Sequence, residues 1–461
     1  MKFQSFQQTQ LSKNKRILMN WSGVRALANI NQIRTPRNES DLIKLLSKKN
    51  KIRPLGSGLS YESVNSIYEE NSSAILVDLK NKKGMVRYTE DTITFRGATL
   101  VDNVYSVLVE MNRMLPVSPG VIGIQTLAGA LSTGTHGQGK GQSFIGDAVL
   151  ELRIMLADST VITVDRKHPY FNAFILSLGV LGIILEITLS TVKLEIYECV
   201  KFTTNENYFF DNYLSLNYKN HSVKAWWFPW SEESLVWITN EASDDQKKYY
   251  LSSGCMPFDI KVERKISLDA TIDSALERMK RDTQTEIGAA RHFETVTRFR
   301  NQDSVIGNIY QLMCKGIPAP QINCEIAVPA DNFSKAVELL KHWNQNQNQN
   351  ETMHYPFIFR YCGKSSAWLS PASNGDVCWI GFLVYLTPDG QFASGSLEWM
   401  REIQSLLASI GGIPHFGKHF CPELYDFTNA LPKWNYFVEL KKMLDPGQRF
   451  ENDFIMKLFN V

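Results

Sequence analysis

The spacing of apolar positions changes character along the chain. In residues 39–48, ESDLIKLLSK, the apolar Leu42, Ile43, Leu45 and Leu46 recur at helical intervals behind Ser40, a residue type that caps helix N-termini, and this predicts a helix. A short strand is predicted at 52–55 (IRPL), followed by a turn, GSGLSY, at 56–61. Further strands are predicted at 73–78 and 92–96, and a helix at 100–114. Residues 148–156 and 160–164 alternate as strands around a turn at 157–159, and 176–195 reads as a glycine-punctuated helix end followed by a long strand. Short strands mixed with helices in this way make an α+β fold.

Beyond about Glu195 the pattern shifts. Trp226, Trp227, Phe228, Trp230 and Trp237 crowd into strand-like segments that predict a broad antiparallel sheet with one wet face. A helix at 333–343 leads into the polar run NQNQNQN at 344–350, expected to be a solvated loop. From Tyr425 the chain reads as helical again, with a turn at 444–447. With 461 residues the chain is too long for a single growing core. The expected division is residues 1–195, a second domain at 196–424, and a segment at 425–461 that returns to the first.

One stretch fits neither period. Residues 120–141, GVIGIQTLAGALSTGTHGQGKG, hold seven of the 28 glycines. Every glycine costs ordering entropy, so such a run suits close approach of bare main chain to a large planar or phosphorylated ligand. Positions 134–140 match the phosphate-loop pattern G-x-x-x-x-G-K, but Gly141 stands where that loop needs Ser or Thr, and the flanking strand and helix are missing. The triplet at 56–58 fails the dinucleotide fingerprint, because Tyr61 occupies the third glycine position.

Composition narrows the classes that remain. A net charge of +2 gives no field for nucleic acid, and 44% hydrophobic with 21% charged residues is ordinary for a globular protein. Seven scattered cysteines without C-x-x-C spacing suit a reducing compartment, and neither a disulfide framework nor a metal site is expected. No signal-peptide core and no apolar run of spanning length occurs, so the expected location is cytoplasmic, with membrane contact at most peripheral.

Several segments carry a specific likeness. RPLGSGLSY at 53–61, the glycine stretch, and SLGVLGIILEITL at 177–189 resemble the FAD-contacting segments of flavoproteins of the vanillyl-alcohol-oxidase type. FRYCGKSSAWLSPASNGDVCWI at 359–380, GGIPHFGKHF at 411–420 and LDPGQRFENDF at 444–454 resemble, in order, the sugar-1,4-lactone oxidases, such as L-gulonolactone and D-arabinonolactone oxidase. The likeness implies a FAD-binding domain of two subdomains and a substrate (cap) domain built on a large antiparallel sheet. It also implies a sugar-derived substrate, and oxygen or an electron-acceptor protein as partner.

The cofactor residues implied are Arg53, Gly56, Ser57, Gly58, Leu59, Ser60 and Tyr61 on the first turn, where the hydroxyls of Ser57 and Ser60 would meet pyrophosphate. Gly120, Thr126, Gly129, Ser132, Thr133, His136 and Gly137 would line the opposite side, and Ile183 and Ile184 the adenine or ribose end. Oxidation of a CH–OH group needs removal of the hydroxyl proton and stabilisation of charge, for which Lys418, Arg360 and His415 are the catalytic candidates, with His419 as base or orienter.

Two departures stand out. Many relatives carry, after the G-x-G turn, a His that bonds to the flavin; Leu59 stands here, so the FAD is expected to be non-covalent, as in the similar plant galactonolactone dehydrogenases. Relatives also carry Glu two residues before the Arg matched by Arg360, and this chain has Ile358. Glu325 is a candidate replacement, with a solvated strand residue as the plainer reading. The expected activity is oxidation of a sugar-1,4-lactone. Oxidation of a lipid-linked or glycosidic sugar alcohol, similar to decaprenylphosphoryl-ribose oxidase, or flavin binding without turnover remain open alternatives.

Overall fold

The computed structural model describes residues 10–11, 16–68, 73–118, 120, 122–229, 232–253, 261–264, 304–313, 320–347, 355–386, 390–392 and 395–460. Trp230, Cys255, Cys314 and positions 348–350 of the polar run lie outside the described residues.

Beside a small antiparallel sheet of Gln10–Leu11, Ile17–Met19 and Ala26–Asn29, two sheets wall the first half of the molecule. In the smaller, strand Ile75–Asp78 lies between Ile33–Arg34 and Ile52–Leu55, parallel to both. The larger is antiparallel and runs Val161–Asp165, Val149–Met155, Ile183–Ser190, Thr92–Arg96, Met85–Tyr88. The helix expected at 39–48 forms at Glu39–Leu46, but its cap is Asn38 rather than Ser40. Asn38 has an extended backbone and accepts the Asp41 N–H at 2.8 Å, whereas Ser40 lies within the helix. Leu42 and Leu46 pack with Ile52, Ile75, Val77, Ile183 and Phe450. The end of the chain thus docks on this half: Ile52 N–H donates to the Arg449 carbonyl at 2.7 Å, and the Asn452 amide donates to the carbonyls of Ser63 and Ser66, each at 2.7 Å.

The second half is organised by a nine-stranded antiparallel sheet. From one edge it runs Lys261–Arg264, Ser304–Asn308, Ile196–Asn205, Glu233–Glu241, Ser222–Phe228, Phe357–Cys362, Val377–Tyr385, Gln321–Pro329 and Ile413–Pro414. Its central strands have no wet face, contrary to the sequence expectation: Ser222–Phe228 and Val377–Tyr385 are buried at every position. Helices Glu206–Lys219, Phe333–Gln345 and Ser396–Ala408 cover one face, and the glycine stretch and the loop at 415–419 lie over the other.

The two faces are chemically distinct because side chains alternate along each strand. In Phe357–Cys362, Phe359 meets Phe209, Phe210, Tyr213 and Phe333 on the helical side. Ile358, Arg360 and Cys362 face the opposite way. Register aligns Arg360 with Trp379 and then Ala327, and aligns Ile358 with Gly381 and then Glu325. One face is therefore an aromatic core, and the other gathers a cation, a carboxylate and an indole.

Candidate active site

Two cavities join at the boundary between these halves. The first is a groove with about 870 Å³ of open space, walled by the turn after Ile52–Leu55, by residues 97–98 and 125–133, and by 178–184. Much of its wall is bare main chain. A Cβ added at Gly56 would lie 2.6 Å from Thr126 Oγ1, at Gly97 2.6 Å from the Ile184 carbonyl, and at Gly129 2.8 Å from Thr126 Oγ1. Gly58, Gly179 and Gly182 have φ of 65°, 69° and 147°, which L side chains rarely adopt. Such a wall admits a flat ligand against peptide planes, and it fits FAD.

The second cavity, with about 630 Å³ of open space, is walled by side chains, and it shares Leu59, Ser60, Gln125 and Thr133 with the groove. At its centre is Glu325, only 2% exposed, whose carboxylate is ion-paired with Arg360, lies 3.6 Å from His136 Nε2 and 4.0 Å from Lys418 Nζ. Burial pushes this carboxyl up, yet Arg360, His136 and Lys418 together outweigh it and hold the group well below the usual range. Burial also lowers the Lys418 ammonium, with Glu325 acting against the shift.

Main-chain pairing sets these positions. The loop at 415–419 extends the sheet edge, with His415 N–H donating to Glu325 O at 2.9 Å and His419 N–H to Asn323 O at 2.8 Å. That places Lys418 and the His415 ring above Glu325. The glycine stretch is tied to the sheet by Gly139, whose N–H donates to Tyr361 O at 2.6 Å and whose φ is 142°. A Cβ there would lie 2.2 Å from the His221 carbonyl. His136 then stacks on Trp379, ring centroids 4.0 Å apart and planes at 9°.

The residues singled out in the sequence divide between the cavities. Gly56, Ser57, Gly58, Thr126, Gly129, Ser132, Ile183 and Ile184 line the groove, and Leu59, Ser60 and Thr133 line both spaces. Tyr61, Gly120 and His136 line the second cavity with Arg360, His415 and Lys418, so these three sit there rather than along the groove. Gly137 lines neither; a Cβ there would meet Gln142 Cβ at 2.8 Å, and its role is packing. Arg53 touches the groove, but its guanidinium donates to the carbonyls of Leu178, Gly179 and Phe450, clamping the fold. Ser57 donates its hydroxyl proton to the Ile124 carbonyl at 2.6 Å, leaving only acceptor capacity toward a phosphate. His419 turns away to Glu62, donating from Nδ1 at 2.6 Å. Glu325 is a buried centre of charge and not a solvated strand residue.

Sequence reasoning missed Gln125, which lines both cavities and accepts from Thr135 Oγ1 at 2.9 Å, and the bare backbone at Gly97; it read the segment at 177–189 without singling out Gly179 and Gly182. The glycines carried a signal in being isolated within apolar segments. Gln125 carried none.

The groove fits FAD, and the matches to known proteins show a FAD-dependent oxidoreductase. A family model described as an FAD binding domain matches residues 30–165, and one described as D-arabinono-1,4-lactone oxidase matches residues 187–458. The chain belongs to the D-arabinono-1,4-lactone oxidase family. It is 22% identical to L-gulono-1,4-lactone dehydrogenase of Mycobacterium tuberculosis (strain ATCC 25618 / H37Rv), over 96% of this chain and 99% of that protein. It is also 22% identical to L-gulonolactone oxidase of Scyliorhinus torazame, over 91% and 92% of the two chains. In fold it is similar to cholesterol oxidase from B. sterolicum, with a TM-score of 0.71, 14% identity and coverage of 99% and 98%. Among the described residues no helix is long and apolar enough to cross a membrane.

Proposed function

We propose that the chain oxidises a CH–OH group of a sugar-1,4-lactone of the D-arabinono or L-gulono type, in the cytoplasm, and passes the electrons to oxygen or to an acceptor protein. The observation that carries this reading is the junction at Leu59, Ser60, Gln125 and Thr133, where the bare-backbone groove opens directly onto the pocket of Arg360, Lys418, Glu325, His136 and His415. Bound FAD would supply the hydride-accepting chemistry. Groove residues 56–60, 126–133 and 183–184 would hold it.

The pocket residues act on the substrate. Lys418, partly buried and cationic, supplies a hydrogen-bond donor and a positive charge where negative charge develops. Arg360 lines the pocket, and its pair with Glu325 fixes the guanidinium there as a positive charge beside the substrate. Leu59 offers no atom for a covalent flavin bond, and the FAD is held non-covalently.

Anaerobic mixing of the FAD-loaded protein with D-arabinono-1,4-lactone or L-gulono-1,4-lactone tests the reading. Bleaching of the visible flavin absorbance is the expected result. Bleaching only by a prenyl-linked sugar would redirect the substrate, and no bleaching by any sugar alcohol would remove the activity.

A further inference from the structure

The pocket holds two histidines whose ring protons are fixed by the main chain in opposite senses. His136 Nδ1 lies 2.9 Å from the Gly137 carbonyl, an atom that only accepts, so Nδ1 carries the hydrogen. The neutral ring therefore carries its lone pair at Nε2, which is buried and lies 3.6 Å from Glu325 Oε1. His415 is the reverse. Its Nδ1 accepts the Gly417 N–H at 2.9 Å, so the hydrogen of the neutral ring sits on Nε2 and no lone pair is left. The ring centroids are 5.5 Å apart, and both side chains line the same cavity.

Resting on the reading of this cavity as the oxidation site, we infer that His136 Nε2 is the acceptor of the substrate hydroxyl proton and that His415 is a hydrogen-bond donor without a base's role. Bound FAD would supply the two-electron, hydride-accepting chemistry for the carbon-bound hydrogen; as the O–H electron pair closes the carbonyl, the hydroxyl proton goes to His136 Nε2. Glu325 Oε1, 3.6 Å from that nitrogen, stabilises the imidazolium that results. Its own carboxylate is a poor acceptor because Arg360 and Lys418 already hold it ionised. This supplies the proton-accepting chemistry that Ile358 cannot.

The surroundings support the assignment. His136 faces Glu325, Arg360, His415 and the Cys362 thiol, and burial, then Arg360, lower its pKa below the ordinary 6.5, with Glu325 partly opposing. Cys362 does not compete, since burial pushes its thiol up to about 12. The imidazole is neutral and able to accept at pH 7.

Ring nitrogen shifts in the ¹⁵N-histidine-labelled, FAD-loaded protein test this without any substrate, with signals identified through His136→Gln and His415→Gln. The expected result is a His136 Nε2 without hydrogen at pH 7 and a His415 Nε2 with one; hydrogen on His136 Nε2 would overturn the inference. In the lactone reaction, His136→Gln should slow anaerobic flavin reduction by about 10²–10⁴-fold, and added imidazole should restore part of the rate. Loss without rescue in a variant that still binds FAD assigns His136 a packing role and overturns the proposal, as does an unchanged rate. Failure of every lactone would sink the substrate reading, while the nitrogen shifts would still decide the tautomers.

Discussion

The groove and the pocket are adjacent, yet they are made of different material. The groove is main chain exposed by glycines at 56, 97, 129 and 182, residues that lie within or beside continuous segments. The pocket is a convergence of charged side chains from the strands Phe357–Cys362 and Gln321–Pro329, the loop at 415–419 and the glycine stretch. A wall of main chain tolerates change at its side chains but fails if a Cβ appears. A knot of buried charge tolerates shape change and fails if one charge is removed.

The pocket should break first at its centre. Glu325→Ala leaves Arg360 and Lys418 facing one another in a buried site, and the loss of one partner from such a set costs about 3–5 kcal/mol of stability. The urea midpoint should fall accordingly, and a midpoint unchanged from the parent would show that Glu325 does not hold the knot together. Acid probes the same group. Glu325 is depressed in the fold, so its contribution is present above the ordinary 4.5 and is lost as pH falls through its lower folded value. His136 and His415 are depressed too, by burial first, so the unfolded chain takes up their protons first as pH drops below 6.5. All three shifts act in one direction, and stability should decline steadily from pH 6.5 downward in a urea series.

Lys418→Met removes charge at the rim of the knot and spares the groove. Flavin reduction should slow by about 10²–10³-fold, with FAD retention little changed. Equal losses in both would mean that Lys418 serves the cofactor and that the two regions are not separable.

That separation also explains what was legible in the sequence. The groove could be read because its determinants are local: the turn at 56–61, the run at 120–141 and the segment at 177–189 each carry their own glycines. The pocket could be read only in part. Lys418 and Arg360 stood out by motif, but Glu325 was indistinguishable from a solvated strand residue, because its burial depends on Arg360, which is 35 positions away and two strands across. The wet face expected of the large sheet failed for a similar reason. Alternation along Phe357–Cys362 exists, but its polar positions face a pocket instead of solvent. Ser40 was misread at closer range, since Ser40 and Asn38 both carry capping chemistry and only the backbone turn at Asn38 decides between them.

Gly56→Ala tests the groove at one of its tightest contacts. The new Cβ would meet Thr126 Oγ1 at 2.6 Å, and overpacking of this kind costs about 1–3 kcal/mol. FAD affinity should weaken by roughly 10–100-fold, read by flavin fluorescence on dilution, while the acid-unfolding profile set by the pocket stays in place. A shift in that profile would tie the two regions into one unit.

The smallest effect belongs to Leu59, which lines both cavities. Since the side chain is half-buried, trimming it to Ala gives up only part of the about 1.5–3 kcal/mol that full burial of Leu supplies. Flavin affinity in Leu59→Ala should therefore fall by less than tenfold. In the parent and the variant alike, acid precipitation should leave the flavin in the supernatant, because no bond holds it to this turn. A yellow pellet from the parent protein would place a covalent link elsewhere in the site. His136 would be the first residue to examine, and the same result would withdraw the lone pair assigned to its Nε2.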